Sequence, residues 1–158
     1  MKKTVASSIL GAAIALIGYY EGYKPKAYLD PINIPTICYG HTGKDVFIGL
    51  TKTKTECDEL LSDDVKIAQK AVERLYRGVD PLPDETAAAM ISFTYNMGQG
   101  ALATSTMLKK LNAGDLVGAC NELPRWINAG QGINKKPLQG LINRREAEKE
   151  LCLKGAMK

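Results

Sequence analysis

The chain has 158 residues, of which 45% are hydrophobic and 24% charged, and its formal net charge is +4. This size and composition predict one folded domain with a core of adequate size, and they argue against disorder. The basic residues are scattered among acidic ones. That distribution gives no support to nucleic-acid binding, and it fits either weak attraction to an anionic polymer or a solvated surface without a partner.

Residues 1–20 combine a positive start with an apolar run, because Lys2 and Lys3 precede an uncharged stretch that extends to Tyr20. This pattern is typical of export. A helix from Val5 to Tyr20 would be about 24 Å long, short of the ~30 Å hydrocarbon core of a membrane. Three interpretations stay open: a signal peptide cleaved near residues 13–15, a core helix of a soluble protein, and an uncleaved export and anchor segment. We favour the third, in which the segment continues into the first helix, to about Tyr23.

The rest of the chain predicts one small β element followed by helices. Tyr28 to Ile48 is rich in Pro, Gly, Asn and β-branched residues, which favours turns and short strands. Thr53 and Glu56 form a capping box that opens a long helix. Further helices are predicted at 87–95 with Asp84 as its cap, at 105–111, at 116–122 with Asp115 as its cap, and at 138–153. The predicted fold class is therefore α+β, with a small β-containing lobe early and a mostly helical lobe late.

The four cysteines lack C-x-x-C spacing, and the chain has one histidine, so we predict neither a metal site nor a cofactor. Disulfides are plausible only in an oxidising compartment. Cys38 and Cys57 fall in the early lobe, and Cys120 and Cys152 fall on late helices. We therefore favour the pairs Cys38–Cys57 and Cys120–Cys152, with free buried thiols as the alternative.

Residues 21–43 hold the side chains that favour a chemical function. Glu21 ends an apolar helix, Asp30 precedes a proline turn, and Thr36 enters a predicted strand. A carboxylic acid in an apolar setting can keep a proton for a leaving oxygen, while a second carboxylate stays ionised in a polar loop. If a water fits between the two carboxyl groups, its attack inverts the anomeric configuration, and Thr36 could hold that water. Taken alone, this spacing is more often structural than catalytic.

The order of these residues resembles the phage lysozyme or endolysin family. Its signature is a Glu, eight residues, an Asp, five residues, and a Thr followed by I-x-x-G-H, which this sequence matches without a gap. The resemblance continues at residues 92–98, 105–108, 125–126 and 140–146. It implies a lysozyme-like fold and a glycoside hydrolase that cuts the β-1,4 bond between N-acetylmuramic acid and N-acetylglucosamine in peptidoglycan. The catalytic residues would be Glu21, Asp30 and Thr36, and the enzyme would be an inverting one that lyses the host cell at the end of infection.

The same resemblance indicates further site residues. Tyr95, Asn96, Ser105 and Thr106 are candidates to stack on or hydrogen-bond sugars, although burial in the core is the stronger interpretation for Tyr95. Arg144 is expected to reach Glu21 and steady its charge, with a solvated helix arginine as the alternative. In the resembling motif His41 is structural and connects the β element to its neighbours.

The apolar start followed closely by Glu21 is similar to the signal-anchor-release endolysins. That likeness implies contact with the host export machinery and the inner membrane through residues 4–20, tethering there, and later release to the periplasm. Residues 21–158 would form the catalytic domain of a monomer that acts on peptidoglycan glycan strands. Two other functions stay open: a lytic transglycosylase that needs no Asp30, and an inactive wall-binding or pore-forming module.

Overall fold

The computed structural model describes residues 2–129 and 136–158. Within them, the helices are α1 (Lys2–Glu21), α2 (Lys54–Leu75), α3 (Asp84–Met97), α4 (Gln99–Ala103), α5 (Thr106–Asn112), α6 (Leu116–Cys120) and α7 (Gln139–Ala156). The strands are β1 (Lys24–Leu29), β2 (Pro35–Cys38), β3 (His41–Thr42), β4 (Asn128–Ala129) and β5 (Lys136–Pro137). The α+β prediction is confirmed, because a small sheet lies early in a mostly helical chain.

The early sheet is antiparallel and ordered β1-β2-β3. Tyr28 pairs with Thr36, and Thr36 pairs with Thr42, so these three residues lie side by side across the strands. The turn between β1 and β2 includes Asn33 at φ 65°, a left-handed conformation that asparagine tolerates better than most residues. This sheet brings Asp30, at the end of β1, next to the row of hydroxyl-bearing side chains.

Helix α3 lies at the centre of the molecule. Every residue from Thr86 to Thr94 is buried, which is the pattern of a helix surrounded by protein on all sides. It packs most extensively against α7 and next most extensively against α1. The apolar N-terminal sequence packs into this core as α1, where Ala13 and Ile17 are fully buried.

The predicted helix caps have mixed outcomes. The capping box of Thr53 and Glu56 is confirmed at the start of α2, and Asp115 caps α6. The predicted cap at Asp84 is wrong, because α3 starts at Asp84 itself and Pro83 occupies the cap position. Proline restricts its own backbone to a conformation that can precede a helix, and the acidic side chains of Asp84 and Glu85 interact favourably with the positive end of the helix dipole. The helix therefore starts three residues before Ala87.

Several predicted helix ends also differ from the structure. α1 ends at Glu21 rather than near Tyr23, because Gly22 adopts φ +73° and terminates the helix. α6 ends at Cys120 and is followed by a 3-10 turn, Leu123–Arg125. α4 was not predicted, and α7 extends to Ala156. The predicted glycine-rich loop falls partly on residues 130–135, which lie outside the described residues.

Two disulfides connect the elements. Cys38–Cys57 joins β2 to α2, and Cys120–Cys152 joins α6 to α7, which is the favoured pairing. All four cysteines are buried. Among residues 2–129 and 136–158, no helix has the length and apolar character needed to cross a membrane.

Candidate active site

Glu21 is the last residue of α1, and its carboxylate meets α7. Arg144 Nη1 donates to Glu21 Oε1 over 2.7 Å. The arginine side chain is 4% exposed, whereas the glutamate side chain is 20% exposed. The site therefore holds a carboxylate open to solvent on one side and paired with a buried cation on the other.

Gly40, in the turn between β2 and β3, brings the sheet against this carboxylate. A Cβ atom at Gly40 would lie 2.5 Å from Glu21 Oε2, and the residue adopts φ +77°. Both the space and the backbone conformation favour glycine here. The turn after β2 is thus in direct contact with the carboxyl group at the end of α1.

Tyr28 lies near both Glu21 and Asp30. Burial raises the pKa of Tyr28, and the negative charges of Glu21 and Asp30 raise it further. Tyr28 therefore lies within electrostatic range of both carboxylates. Thr36 is opposite Tyr28 in the β1–β2 register, so it lies on the same face of the sheet.

Asp30 is held in place by its own turn. Its Oδ1 accepts the backbone N–H groups of Ile32 and Ile34, each at 2.9 Å. In the described part of the chain, Oδ2 has no hydrogen bond. One oxygen thus fixes the side chain, and the other is left for a water or a ligand.

The hydroxyl of Thr36 is oriented by the same turn. Its Oγ1 donates to the carbonyl of Ile34 over 2.9 Å, and the residue is 4% exposed. Because that donor is used, the remaining lone pairs of Oγ1 can only accept. Thr36 can therefore accept a hydrogen bond from a water without changing its own geometry.

Two depressions lie next to Glu21. One, of about 270 Å³, is lined by residues from the sheet turn, α2 and α3–α4, including Gly40, Thr42, Asp64, Tyr95 and Gln99. The other, of about 410 Å³, is lined by Tyr20, Glu21, Asn96, Leu138–Leu141 and Arg144. Since Gly40 touches Glu21, the carboxylate stands between the two depressions, which suits an extended ligand.

The predicted sugar-contacting residues fall in four places. Tyr95 and Asn96 line the first and second depressions respectively. Thr106 lines a separate cavity of about 310 Å³ with Trp126. Ser105 is buried, and its hydroxyl donates to Leu102 O and accepts from Leu108 N at the start of α5. The structure therefore brings Tyr95 and Asn96 to Glu21, and it uses the hydroxyl of Ser105 in a helix cap.

Tyr95 has both a structural and a surface role. Its hydroxyl donates to the carbonyl of Tyr39 over 2.7 Å, which ties α3 to the sheet. Burial raises the pKa of Tyr95, and the charges of Asp64 and Glu21 add to the increase. The phenol therefore stays neutral, and its side chain lines the first depression.

His41 connects the sheet to α2, as the resemblance implied. Its Nδ1 lies 2.6 Å from Asp64, and its Nε2 lies 3.0 Å from Asp45. Burial lowers the pKa of His41, but the hydrogen bonds to Asp64 and Asp45 outweigh it, and the pKa is raised overall. The described residues bring no group of three or more His, Cys, Asp or Glu side chains into a metal-binding arrangement.

Sequence reasoning did not identify Tyr28, Thr42 or Glu148 as part of this region. Tyr28 and Thr42 could have been found from the strand register, because both lie on the same face as Thr36. No sequence pattern distinguishes Glu148, because α7 contains many charged residues and an acidic residue among them is usually exposed to solvent. Its burial depends on α7 docking against α3.

The Phage lysozyme family model matches residues 18–148, and the chain belongs to the phage lysozyme family. A protein named SAR-endolysin, from Bacteriophage PS119, is 40% identical over 165 residues, covering 98% of this chain and 95% of its own. The fold is lysozyme-like, and the activity of the family is that of a glycoside hydrolase.

Solved structures agree with this assignment. The muramidase domain of SpmX from Asticaccaulis excentricus is 32% identical with a TM-score of 0.82, covering 90% of this chain and 95% of its own. The active form of P1 phage endolysin Lyz is 30% identical with a TM-score of 0.81, covering 98% and 94%. The secreted inactive form of Lyz has the same identity, a TM-score of 0.61, and covers 91% and 94%. The fold described here is therefore more similar to the active form than to the inactive one.

Proposed function

We propose that this lysozyme is an endolysin that hydrolyses the β-1,4 bond between N-acetylmuramic acid and N-acetylglucosamine in peptidoglycan. The observation that carries the proposal is the Glu21 carboxylate, paired at 2.7 Å with the buried Arg144 and placed between two depressions. A glycan strand that fills both depressions would present a glycosidic oxygen at Glu21.

Glu21 acts in this proposal as the general acid. It donates its proton to the leaving glycosidic oxygen, and the carboxylate that remains is stabilised by the Arg144 guanidinium. The arginine is already oriented by buried contacts, so little reorganisation accompanies the proton transfer. This is the role that a cation beside a catalytic acid can fill after the proton has left.

Asp30 and Thr36 prepare the water. Oδ2 of Asp30 takes one proton from the attacking water, and Oγ1 of Thr36 accepts a hydrogen bond from the O–H that the water keeps. The water then attacks the anomeric carbon on the face opposite the leaving oxygen, and the product has the inverted configuration. Thr42 and Asn96 line the depressions on either side of this centre.

The test compares the wild type with Glu21→Gln on outer-membrane-permeabilised Gram-negative cells. We expect wild type to clear the suspension and Glu21→Gln to lose activity by a factor of about 10³ or more, because no proton donor remains. Full lysis by Glu21→Gln would favour the wall-binding or pore-forming module instead.

Analysis of the released sugars distinguishes hydrolysis from transglycosylation. Hydrolysis by this mechanism yields new reducing ends that are first formed as the α anomer, and it depends on Asp30. Asp30→Asn should therefore stop product formation. Anhydro sugars, released undiminished by Asp30→Asn, would establish a lytic transglycosylase in its place.

We propose further that residues 1–20 form an export and anchor segment and that residues 21–158 form the catalytic domain. The name of the Bacteriophage PS119 relative supports this division. So does the sequence of the segment, whose apolar run is interrupted by serine and glycine. In the tethered state the segment lies in the inner membrane of the host, and after release it packs as α1, with Ala13 and Ile17 in the core.

The tether is tested by fractionating cells that express the full chain before and after the membrane potential is dissipated. We expect the protein in the membrane fraction first, and in the periplasm, with lytic activity, after dissipation. A chain that is soluble and lytic from the start would exclude the tether while leaving the muramidase proposal intact.

A further inference from the structure

A buried charge network lies behind the active-site depression, and Glu148 of α7 is at its centre. The carboxylate is completely buried. It lies 2.5 Å from Arg145 Nη1 and 3.5 Å from Arg144 Nε, and it accepts the hydroxyl of Ser92 over 2.5 Å. One carboxylate thus contacts two arginines and the central helix α3.

The two arginines leave Glu148 in different directions and end on two cleft residues. Arg144 Nη1 reaches Glu21, while its Nη2 contacts Ser92 O at 3.4 Å. Arg145 Nη2 donates to Oδ1 of Asn96. Glu21 and Asn96 line the same depression of about 410 Å³. Glu148 is therefore the carboxylate that contacts both arginines, Arg144 and Arg145.

The contact with Arg145 also decides how the amide of Asn96 is turned. A guanidinium group only donates hydrogen bonds, so the oxygen of the amide must be the atom that faces Arg145. The NH₂ group of Asn96 is then directed away from Arg145, and no residue in the described part of the chain accepts a hydrogen bond from it. An amide fixed in this way can donate to the acetamido or hydroxyl oxygen of a sugar.

Stability alone does not explain this network. A buried ion pair is often no more stable than apolar side chains of the same volume. Burial raises the pKa of Glu148, with Arg145, Ser92 and Arg144 opposing it, and burial lowers the pKa of Arg145 to about 10. The folded chain keeps these charges desolvated at the point where they hold two cleft side chains.

We propose that Glu148 is a positioning residue that orients Glu21 through Arg144 and Asn96 through Arg145. The inference rests on the proposed role of Glu21. Glu148 touches no substrate, and it acts by fixing the two guanidinium groups in one arrangement. It would affect kcat through the acid and KM through the amide.

Two variants test the role of the carboxylate. Glu148→Gln keeps the shape but removes the charge, and Arg145→Met with Glu148→Met removes both members of the closest pair. We expect the double variant to stay folded, because apolar side chains replace the closest buried ion pair, with a lower Tm than wild type because Ser92 and Asn96 lose their partners. Its kcat/KM on soluble peptidoglycan fragments should fall about tenfold or more, with a rise in KM, because the amide of Asn96 is no longer oriented.

The pH profile of Glu148→Gln gives a readout that a purely structural role would not move. The charged or titratable groups around Glu21 are Arg144, Arg145 and Glu148 of α7, Tyr20 of α1, Tyr28 of β1 with Asp30 after it, and Tyr95 of α3. Glu148→Gln removes one negative charge from the network and leaves the positive charges of the two arginines uncompensated on the side of Glu21. The alkaline limb of kcat/KM should therefore move to lower pH, and Glu148→Asp should restore it in part.

Glu85→Gln is the matched control, because Glu85 lies on α3 and pairs with Lys158 at the far end of the chain. It should leave the kinetics unchanged. Wild-type kcat, KM and pH profile in the folded double variant would overturn the proposal. Loss of activity in Glu21→Gln alongside that result would leave the proposed function standing, whereas an active Glu21→Gln would remove both.

Discussion

The two sides of the active site are held in different ways. On the sheet side, Asp30 and Thr36 are bound by backbone groups two to four residues away. On the helical side, Glu21 is bound by Arg144, which is 123 residues away along the chain. The sheet side is therefore assembled by local turn chemistry, and the helical side by the docking of the first helix against the last.

This difference matters for control of activity. A turn that is closed by its own side chain forms wherever its residues are present, so the sheet side needs little help from the rest of the fold. The carboxylate of Glu21 becomes organised only when α1 and α7 both lie against α3. Activity should therefore be more sensitive to changes that disturb the helical side than to changes that disturb the sheet side.

Apart from the proposed catalytic residues themselves, the largest effect is expected for Arg144→Met. It leaves Glu21 without its cation and Glu148 with one arginine fewer, so unfolding free energy should fall by about 3–5 kcal/mol. Activity of the protein that remains folded should fall about 100-fold. Urea denaturation followed by circular dichroism, with a peptidoglycan assay, measures both. Arg125→Met is the control, because Arg125 is 76% exposed, and an equal loss there would contradict the prediction.

The two disulfides should be separable by activity. The loops they close span 19 and 32 residues, so removing either with a double Cys→Ser change should cost about 3–4 kcal/mol. Cys38 lies between Thr36 and Gly40, so its loss should also lower activity at 25 °C. Loss of the Cys120–Cys152 bond should lower the Tm and leave activity at 25 °C unchanged. Identical activities in the two variants would show that the first disulfide does not position the sheet.

Gly40→Ala should reduce activity more than stability. The new methyl group would meet the Glu21 carboxylate at 2.5 Å, and φ +77° adds strain of roughly 1–2 kcal/mol. Gly49→Ala is the matched control, since φ is +103° and nothing lies within 4 Å of the added atom. Thermal unfolding should show similar losses for both variants. Only Gly40→Ala should show a severalfold fall in kcat, and equal kinetics in the two would refute contact with Glu21.

The smallest effect concerns His41 and pH. The pKa of His41 is raised in the folded state, so the folded protein binds the proton more tightly than the unfolded chain does. Protonated His41 therefore stabilises the fold, and this contribution is complete below the unfolded pKa of about 6.5. It is lost as pH rises through the folded value. His41→Gln should therefore lower the Tm more at pH 5.5 than at pH 9. Burial raises the pKa of Asp64, which limits the benefit at still lower pH, and a pH-independent Tm difference would contradict this interpretation.

Much of the fold could be predicted because its signals are local. The capping box at Thr53 and Glu56 depends on a spacing of three residues. The cap at Asp115 depends on one short side chain, whose carboxylate accepts a backbone N–H at the start of the helix. Asp84 misled because it suits both a cap and a first turn, and only the position of Pro83 decides between them. The pairing of the cysteines was predicted correctly because each pair falls in one part of the chain.

The local structure of residues 21–41 was likewise determined by the sequence, because residue type and spacing define both the turn around Asp30 and the end of the first helix. The tertiary structure alone decided which side chains surround Glu21. Ser105 was a candidate sugar contact and is a helix cap in the structure, and Glu148, which no sequence pattern indicated, is the centre of a buried network. The physical reason is that burial and charge pairing depend on residues brought together from opposite ends of the chain, and no local pattern records those contacts.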